Sequence, residues 1–289
     1  MLLTTFNLAG ETRLGVVHEA EVIDLARAVD GAPSQLTAAL ERNFDLHAAG
    51  RAAIASRAPR QSLSELSLAP LVPDPGKVIC LGLNYYEHAK EGSRDKPDYP
   101  WFFLRARSSL LGHAQPALLP RVSHQLDYEA ELAVVIGRKV PRHVSAAHAL
   151  DYVFGYSCFN DMSVRDYQKR TPQWTIGKNF DATGAFGPVL VTADALPPGA
   201  AGLTIRSRLH DRVLQSASTA DMIFPVAETI SLLAQCLTLH PGDVLVMGTP
   251  AGVGFARKPP LWLQEGDTIE VEIEGIGLLQ NPVALESSR

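Results

Sequence analysis

The alternation of apolar and polar positions predicts short strands at the start of the chain. These strands fall over residues 2–8, 13–18 and 21–25, and an Ala/Leu-rich helical stretch follows over 33–56. The prolines and the glycine of the segment PDPG at 73–76 are typical of a turn and predict a boundary there. We therefore expect a small N-terminal accessory α/β domain over residues 1–72 and a larger domain over 73–289.

Strand patterns dominate beyond this boundary. They occur over residues 77–82, 101–104, 126–136, 152–159, 188–192, 203–215, 243–247 and 268–273. The 203–215 segment is interrupted by His210-Asp211 and predicts a hairpin, and 225–239 is the clearest helix. Many strands joined by Gly/Pro-rich loops, without strand–helix alternation, indicate a β-rich α+β fold rather than a doubly wound sheet.

Composition and charge exclude several classes of function. The 26 Lys and Arg against 31 Asp and Glu give a net charge of −5, which offers no basic surface to nucleic acid. The 3 cysteines are isolated, so neither a disulfide framework nor a zinc site is expected. The N-terminus lacks the pattern of a signal peptide, and no apolar run approaches the roughly 18 residues of a membrane span. We expect a cytoplasmic protein with no nucleic-acid or membrane partner.

Acidic residues cluster in the segment QLDYEAELAVVIG, over 125–137. Strand periodicity places Asp127, Glu129 and Glu131 on one face, which continues as Ala133 and Val135. Adjacent like charges leading into an apolar face need compensation, and a hard divalent cation with oxygen ligands supplies it. The alternative is a solvated edge of an exposed strand.

A second polar segment, FNDMSVRDYQ over 159–168, carries complementary groups. If a short helix begins after Asp161, then Asp161, Arg165 and Gln168 share one face. That face could present a metal ligand, a fixed cation and an amide to an anionic substrate bound at the metal. The alternative is a helix-capping aspartate with a surface Asp–Arg pair.

A His–Glu pair lies in LNYYEHAKE, over 83–91. On one helical turn Glu91 can orient the imidazole of His88 and stabilise its protonated form, as a general base requires. The polar residues 92–98 follow, and a lid over 85–100 is expected here. The alternative is a solvated pair on a surface helix.

The segment GTPAGVG over 248–254 has the glycine content of an anion-binding loop. It lacks the GKS or GKT ending of a phosphate-binding loop, so we expect it to cradle a carboxylate instead. The sequence has no GxSxG, HExxH or GxGxxG pattern, which argues against a serine hydrolase, a zinc protease and a dinucleotide-binding enzyme.

Taken together, these segments resemble the fumarylacetoacetate hydrolase family. The resemblance runs from about residue 77 to the end, in the family's order, through GLNYYEHAKE, DYEAELAVVIGR, NDMSVRDYQ, IGKNFDATGAFGP and GDVLVMGTPAGVG. It implies a β-rich roll around a metal site, often preceded by a small N-terminal domain. It also implies a homodimer.

The resemblance assigns roles residue by residue. The implied ligands of Mg²⁺ or Mn²⁺ are Glu129, Glu131 and Asp161, with water expected in place of the upstream aspartate found in some members. The implied catalytic residues are His88 and Glu91, which would activate water, and Lys178, which would polarise an oxygen or assist proton return. The implied contacts to substrate oxygens are Arg165, Gln168 and Thr249. Without the resemblance, a surface lysine in a loop is the favoured interpretation of Lys178.

The expected activity is hydrolysis of a C–C bond in a small-molecule acylpyruvate-like or other β-diketo acid, through a metal-stabilised enolate, within aromatic catabolism. The same enolate serves a decarboxylase or an isomerase of 2-oxo dicarboxylic acids, which stays the alternative. A noncatalytic metal-stabilised binding protein is a third interpretation.

Two arginines are expected near the distal pocket, Arg105 and Arg107. Arg105 replaces the lysine of an FLKP-type pattern, and the two charges suggest a substrate with an acidic tail.

Overall fold

The fold is described by a computed structural model that covers residues 1–92 and 94–287. The strands are β1 (Leu2–Leu8), β2 (Glu11–His18), β3 (Glu21–Asp24), β4 (Arg60–Ser62), β5 (Val78–Gly82), β6 (Trp101–Arg105), β7 (Leu110–Leu111), β8 (Ala117–Leu119), β9 (Leu126–Asp127), β10 (Ala130–Ile136), β11 (Val153–Asp161), β12 (Ser163–Val164), β13 (Gly184–Thr192), β14 (Thr204–Leu209), β15 (Arg212–Ser218), β16 (Val244–Val246), β17 (Thr268–Ile273) and β18 (Gly277–Leu285). The helices are α1 (Leu25–Ala28), α2 (Leu36–Glu41), α3 (Leu46–Ala55), α4 (Tyr86–Glu91), α5 (Ala146–Ala149), α6 (Arg165–Gln168), α7 (Thr175–Lys178) and α8 (Val226–Cys236).

A long mixed sheet runs through the whole molecule, in the order β4-β3-β2-β1-β13-β11-β10-β16-β5-β6. Its N-terminal strands join the rest where β1 pairs antiparallel with β13, in the register Leu2 to Val191. The sheet is therefore continuous across the boundary predicted at residues 73–76, and the division into two domains stays a prediction.

The two faces of this sheet are covered by different elements. Leu132 and Val134 of β10 belong to a core shared with the second sheet, β15-β14-β17-β18-β8. Ala133 and Val135 point the other way, into a core closed by α2 and α3. This alternation confirms the predicted face, because Glu131 precedes Ala133 by one strand period. The β-rich α+β fold around an acidic site is confirmed.

Local predictions hold where turn chemistry is strong. His210 and Asp211 connect β14 to β15 with φ values of 50° and 61°, the left-handed conformation of a tight hairpin turn. The predicted stretch 33–56 forms two helices rather than one, because Asn43 has a φ of 49° and the side chain of Asp45 caps α3. The sequence did not predict strand β18, because Pro282 interrupts its pattern of apolar and polar positions.

Two compositional expectations can be compared with the fold. Cys80 and Cys158 are buried, Cys236 is exposed, and all three are free thiols. Within residues 1–92 and 94–287, no helix combines the length and the apolar character needed to cross a membrane.

Candidate active site

Three carboxylates converge where β10 and β11 run side by side. Glu129 precedes β10, Glu131 lies within it, and Asp161 ends β11. The pairing of Ala130 with Asn160 sets this arrangement, and the backbone N–H of Asp161 donates to the Glu129 carbonyl at 3.0 Å. One carboxylate oxygen from each side chain lies within 4.8 Å of the others, and all three residues are buried. The predicted ligand set is thus brought together.

Buried cations hold two of these carboxylates. Lys178 Nζ lies 2.5 Å from Glu129 Oε2 and 2.5 Å from Asp161 Oδ2. Arg165 Nη2 donates to Glu129 Oε1 at 2.6 Å, and the Arg105 guanidinium forms an ion pair with Asp161. Lys178 is therefore a buried member of the site rather than a surface lysine.

Within the described part of the chain, no Lys or Arg forms an ion pair with Glu131, and its carboxylate accepts a 2.6 Å hydrogen bond from the backbone N–H of Gly248. Burial and the neighbouring Asp161 and Glu129 carboxylates raise the pKa of Glu131 well above its usual value. This side chain is the one whose charge is least compensated by protein groups.

The pKa values of Glu129 and Lys178 move in the directions that favour their charged forms. Burial acts to raise the pKa of Glu129, but Arg165 and Lys178 outweigh it and hold that pKa below its usual value. Burial acts to lower the pKa of Lys178, but Asp161 and Glu129 outweigh it and raise that pKa. Both groups are therefore charged at neutral pH.

The charged side chains buried at this site, four carboxylates and three cations, carry one more negative charge than positive, which fits a divalent cation. The carboxylates are Asp127, Glu129, Glu131 and Asp161. The cations are Arg105, Arg165 and Lys178. Oxygen ligands at this spacing suit Mg²⁺ or Mn²⁺, and a divalent ion would reverse the excess charge in favour of an anionic substrate.

The predicted His–Glu dyad is formed on helix α4. His88 Nδ1 lies 2.8 Å from Glu91 Oε1, and both side chains are largely shielded from solvent. The other oxygen of Glu91 accepts a 2.9 Å hydrogen bond from the backbone N–H of Gly252. The pair is therefore anchored to the protein instead of lying free on a surface helix. Ser93, within the expected lid over 85–100, lies outside the described residues.

The glycine-rich loop does cradle carboxylates, but they belong to the protein. Its backbone N–H groups donate from Gly248 to Glu131 at 2.6 Å and from Gly252 to Glu91 at 2.9 Å. Thr249 faces the cavity, yet its hydroxyl donates to the Ala130 carbonyl at 2.9 Å and accepts from Gln215 at 2.7 Å. A substrate oxygen that contacts the Thr249 hydroxyl, as expected from the resemblance, would have to share it with the Ala130 carbonyl and the Gln215 amide.

Asp127 anchors Arg165, a role that the sequence analysis missed. Arg165 Nε donates to Asp127 Oδ2 at 2.7 Å, and the Asp127 carboxylate also accepts from the backbone N–H groups of Gly254 and Phe255 at 2.7 and 3.0 Å. Arg165 Nη1 donates to Gln168 Oε1 at 2.9 Å.

The short helix starts at Arg165 rather than after Asp161, because β11 extends to Asp161 and β12 follows it.

A cavity of about 620 Å³ joins these groups. Its buried end is lined by His88, Glu129, Glu131, Arg165, Lys178 and Thr249. Its outer part is lined by Arg94, Trp101, Lys169, Arg170, Thr171, Pro172 and Trp174. Gln168 and Phe255 lie between the two.

The expected distal arginines are elsewhere. Arg105 lies buried behind Asp161, where it also donates to Thr183 at 2.8 Å. Arg107 is exposed and pairs with Asp74 at 2.8 Å, away from the cavity. The expectation that these two residues line the distal pocket was wrong, since both are engaged with acidic side chains outside it. The basic pair Lys169-Arg170, directly after the RDYQ segment, was the signal that could have been used.

The region that contains these site residues matches a known protein family. A family model described as "Fumarylacetoacetate (FAA) hydrolase C-terminal" matches residues 77–284. The chain belongs to the fumarylacetoacetate hydrolase family. The similar proteins include enzymes, among them an oxaloacetate tautomerase and a maleylpyruvate hydrolase, and the five sequence segments that suggested the family all lie within the matched region.

Individual members of the fumarylacetoacetate hydrolase family differ in activity. The chain is 38% identical over 263 residues to "Oxaloacetate tautomerase Fahd2a, mitochondrial" of Rattus norvegicus, covering 91% of this chain and 83% of that protein. The fumarylacetoacetate hydrolase of Exiguobacterium antarcticum has a TM-score of 0.84 and 37% identity, covering 99% of this chain and 100% of that one. The maleylpyruvate hydrolase of Sphingobium sp. SYK-6, in complex with manganese(II) ion and pyruvate, has a TM-score of 0.83 and 30% identity, with the same coverage.

Proposed function

We propose that this protein is a Mg²⁺- or Mn²⁺-dependent hydrolase that cleaves a C–C bond in acylpyruvate-like or other β-diketo acids. The observation that carries the proposal is the His88–Glu91 dyad, held at 2.8 Å and lining the same cavity as Glu129 and Glu131. A base next to a cation site is the combination that this cleavage requires, because the base activates water and a cation would stabilise the charge that develops on the 2-oxo acid end. The manganese and pyruvate bound by the maleylpyruvate hydrolase support it.

The acidic triad would hold the metal, and the cations beside it would hold the substrate's charge. A divalent cation at Glu129, Glu131 and Asp161 would supply Lewis-acid polarisation of the 2-oxo acid. Arg165 keeps N–H groups on Nη1 and Nη2 beyond those used by Gln168 and Glu129, so it can also bind the substrate carboxylate. Lys178 is fixed between Glu129 and Asp161, next to the proposed cation site, and would donate a proton to a substrate oxygen bound there.

The dyad supplies the base. Because Glu91 is a carboxylate, the hydrogen between the two side chains lies on His88 Nδ1, which leaves the lone pair of Nε2 available to the cavity. His88 Nε2 takes a proton from water as the oxygen adds to the distal carbonyl of the diketo acid. The C–C bond then breaks, and the imidazolium returns its proton to the departing carbon. The products are a carboxylic acid and a pyruvate-type acid.

A second candidate is a tautomerase or decarboxylase of a 2-oxo dicarboxylic acid such as oxaloacetate. The identity shared with the rat oxaloacetate tautomerase over 91% of the chain favours it. In that reaction the same His88 would move a proton between carbon and the enol oxygen, and no water would be consumed.

The cytoplasmic location, the homodimer and the place in aromatic catabolism are part of the proposal and rest on the sequence and the family resemblance.

Product analysis separates the candidates. Enzyme loaded with Mg²⁺ is incubated separately with acetylpyruvate, fumarylpyruvate and oxaloacetate, alongside the His88→Ala variant. Pyruvate plus a carboxylic acid from a diketo acid, lost in the variant, is the expected result. Turnover of oxaloacetate alone, as enol–keto exchange or as pyruvate plus CO₂, would replace hydrolase by the second candidate.

A further inference from the structure

The outer part of the cavity carries positive charge without negative charge. Arg94, Lys169 and Arg170 line it and are exposed, whereas Arg165 and Lys178 are buried at the other end. The carboxylates in the lining are Glu129 and Glu131, and both lie at the buried end. In a protein of net charge −5, three cations at the mouth of one cavity form a local field that attracts anions.

These three cations are held in place by aromatic rings. The Arg94 guanidinium lies 5.0 Å from the centre of the Trp101 ring, and that of Arg170 lies 3.6 Å from the Tyr167 ring. Lys169 Nζ lies 4.6 Å from the centre of the Phe255 ring. No ion pair joins any of the three to a carboxylate within the described part of the chain. The aromatic contacts orient the charges without neutralising them, so they stay available to a ligand.

The Phe255 ring connects the two ends of the cavity. The Arg165 guanidinium also lies 4.6 Å from its centre, so one ring contacts both the buried cation and Lys169. Trp101 and Trp174 also line the cavity, and their rings stack with centroids 5.5 Å apart and an interplanar angle of 26°. A ligand that extends outward from the acidic triad would therefore meet aromatic surfaces and exposed cations.

We propose that Arg94, Lys169 and Arg170 form a subsite for a second carboxylate, so that the preferred ligand is an elongated 2-oxo dicarboxylic acid. Its 2-oxo acid end lies at the acidic triad and Arg165, which rests on the proposed function. Its middle lies against Trp101 and Trp174, and the distal carboxylate reaches the mouth. The three residues determine specificity and take no part in bond breaking.

The test compares two ligands of equal chain length, 2-oxoadipate and 2-oxohexanoate, which differ in the terminal carboxylate. Neither contains a diketone, so binding to the Mg²⁺-loaded protein can be measured by titration calorimetry without turnover. We expect 2-oxoadipate to bind about tenfold or more tightly, the effect of a charge-assisted contact. Arg94→Gln and Arg170→Gln should each reduce this ratio, the double variant should reduce it further, and adding Lys169→Gln should bring it close to one. Binding of 2-oxohexanoate should stay unchanged.

Arg107→Gln is the matched control, because Arg107 is exposed and lies outside the cavity. It should keep the wild-type ratio. Equal binding of the two ligands by the wild type, binding of neither, or a ratio preserved in the double variant would overturn the subsite. Since no reaction is measured, a collapsed ratio in a protein that cleaves no diketo acid would retain the subsite and refute the hydrolase. Cleavage of a diketo acid by a protein that binds 2-oxoadipate and 2-oxohexanoate equally would retain the hydrolase and refute the subsite.

Discussion

The backbone N–H of Gly252 donates to one carboxylate oxygen of Glu91, while the other oxygen of that carboxylate binds His88. The loop that contains Gly252 also binds the candidate metal ligand Glu131 through Gly248. The same loop binds Asp127 through Gly254. One loop therefore positions the dyad, a metal ligand and the anchor of Arg165, so these three parts keep a fixed relative geometry.

The dyad can be tested by Glu91→Gln, which keeps the size of the side chain and removes its charge. His88 would lose the carboxylate that stabilises its protonated form, so kcat should fall about 100-fold or more while the metal affinity stays unchanged. The measurement is steady-state kinetics with a diketo acid, together with metal titration. Glu87→Gln on the same helix is the control, since Glu87 is exposed and 3.9 Å from Lys90. Wild-type kcat in Glu91→Gln would remove the dyad from the mechanism.

The metal site can be tested by thermal melts of Glu131→Gln. The wild type should melt roughly 5 °C or more higher in saturating Mg²⁺ than in EDTA, because a ligand that binds the folded state stabilises it. The variant should show no such gain. In EDTA it should be at least as stable as the wild type, since it removes an uncompensated buried charge. A full Mg²⁺-dependent gain in Glu131→Gln would exclude this residue as a ligand.

The raised pKa of Glu131 predicts a pH dependence of the metal-free protein. A carboxyl whose pKa is raised on folding favours the folded state below its unfolded value near 4.5. That contribution is lost as the pH rises through the folded value. Glu129 has the opposite sign, because its lowered pKa stabilises the fold above the unfolded value and is lost only in acid.

Mg²⁺ competes with the proton on Glu131, so the gain in melting temperature that it produces should increase over the same range of rising pH. Melts between about pH 5 and 8, with Mg²⁺ and with EDTA, measure both effects. Glu131→Gln should abolish the part of the pH dependence that comes from this carboxyl. A Mg²⁺ effect that is constant across the range would contradict the proton competition.

Asp127→Asn tests the positioning of Arg165. The variant loses a charged acceptor for Arg165 Nε, so the guanidinium should bind the substrate carboxylate less well and KM should rise about tenfold. Metal affinity should stay close to that of the wild type, because Asp127 is not one of the triad. Asp74→Asn, at an exposed ion pair, is the control. A loss of metal binding equal to the loss of substrate binding would assign Asp127 to the metal instead.

Local periodicity was enough to predict part of the site. The strand period placed Glu131 on the face of Ala133 and Val135, and one helical turn joined His88 to Glu91. Both relationships depend on residues close in the chain. The segment 159–168 suggested Asp161 as a third ligand, and the family resemblance added Lys178, whose contacts with Glu129 and Asp161 join α7 to the paired strands β10 and β11.

The contacts missed from sequence are made between distant segments. Arg105 reaches Asp161 across 56 positions of the chain, and no local pattern distinguishes it from a pocket arginine. Asp127 shares the strand pattern of Glu129, yet the chain leaves the strand at Tyr128 and Asp127 turns toward Arg165 and Gly254. These outcomes depend on tertiary pairing, which periodicity does not encode.

The pairing of β1 with β13 limits how this protein can be shortened. A polypeptide starting at residue 73 would expose the β13 edge and would uncover the apolar face that α2 and α3 now close, including Phe186 and Leu190. Open edges and bare apolar faces promote association between molecules. Removing the first 72 residues would therefore favour aggregation, so the N-terminal strands protect the sheet that carries the acidic site from self-association.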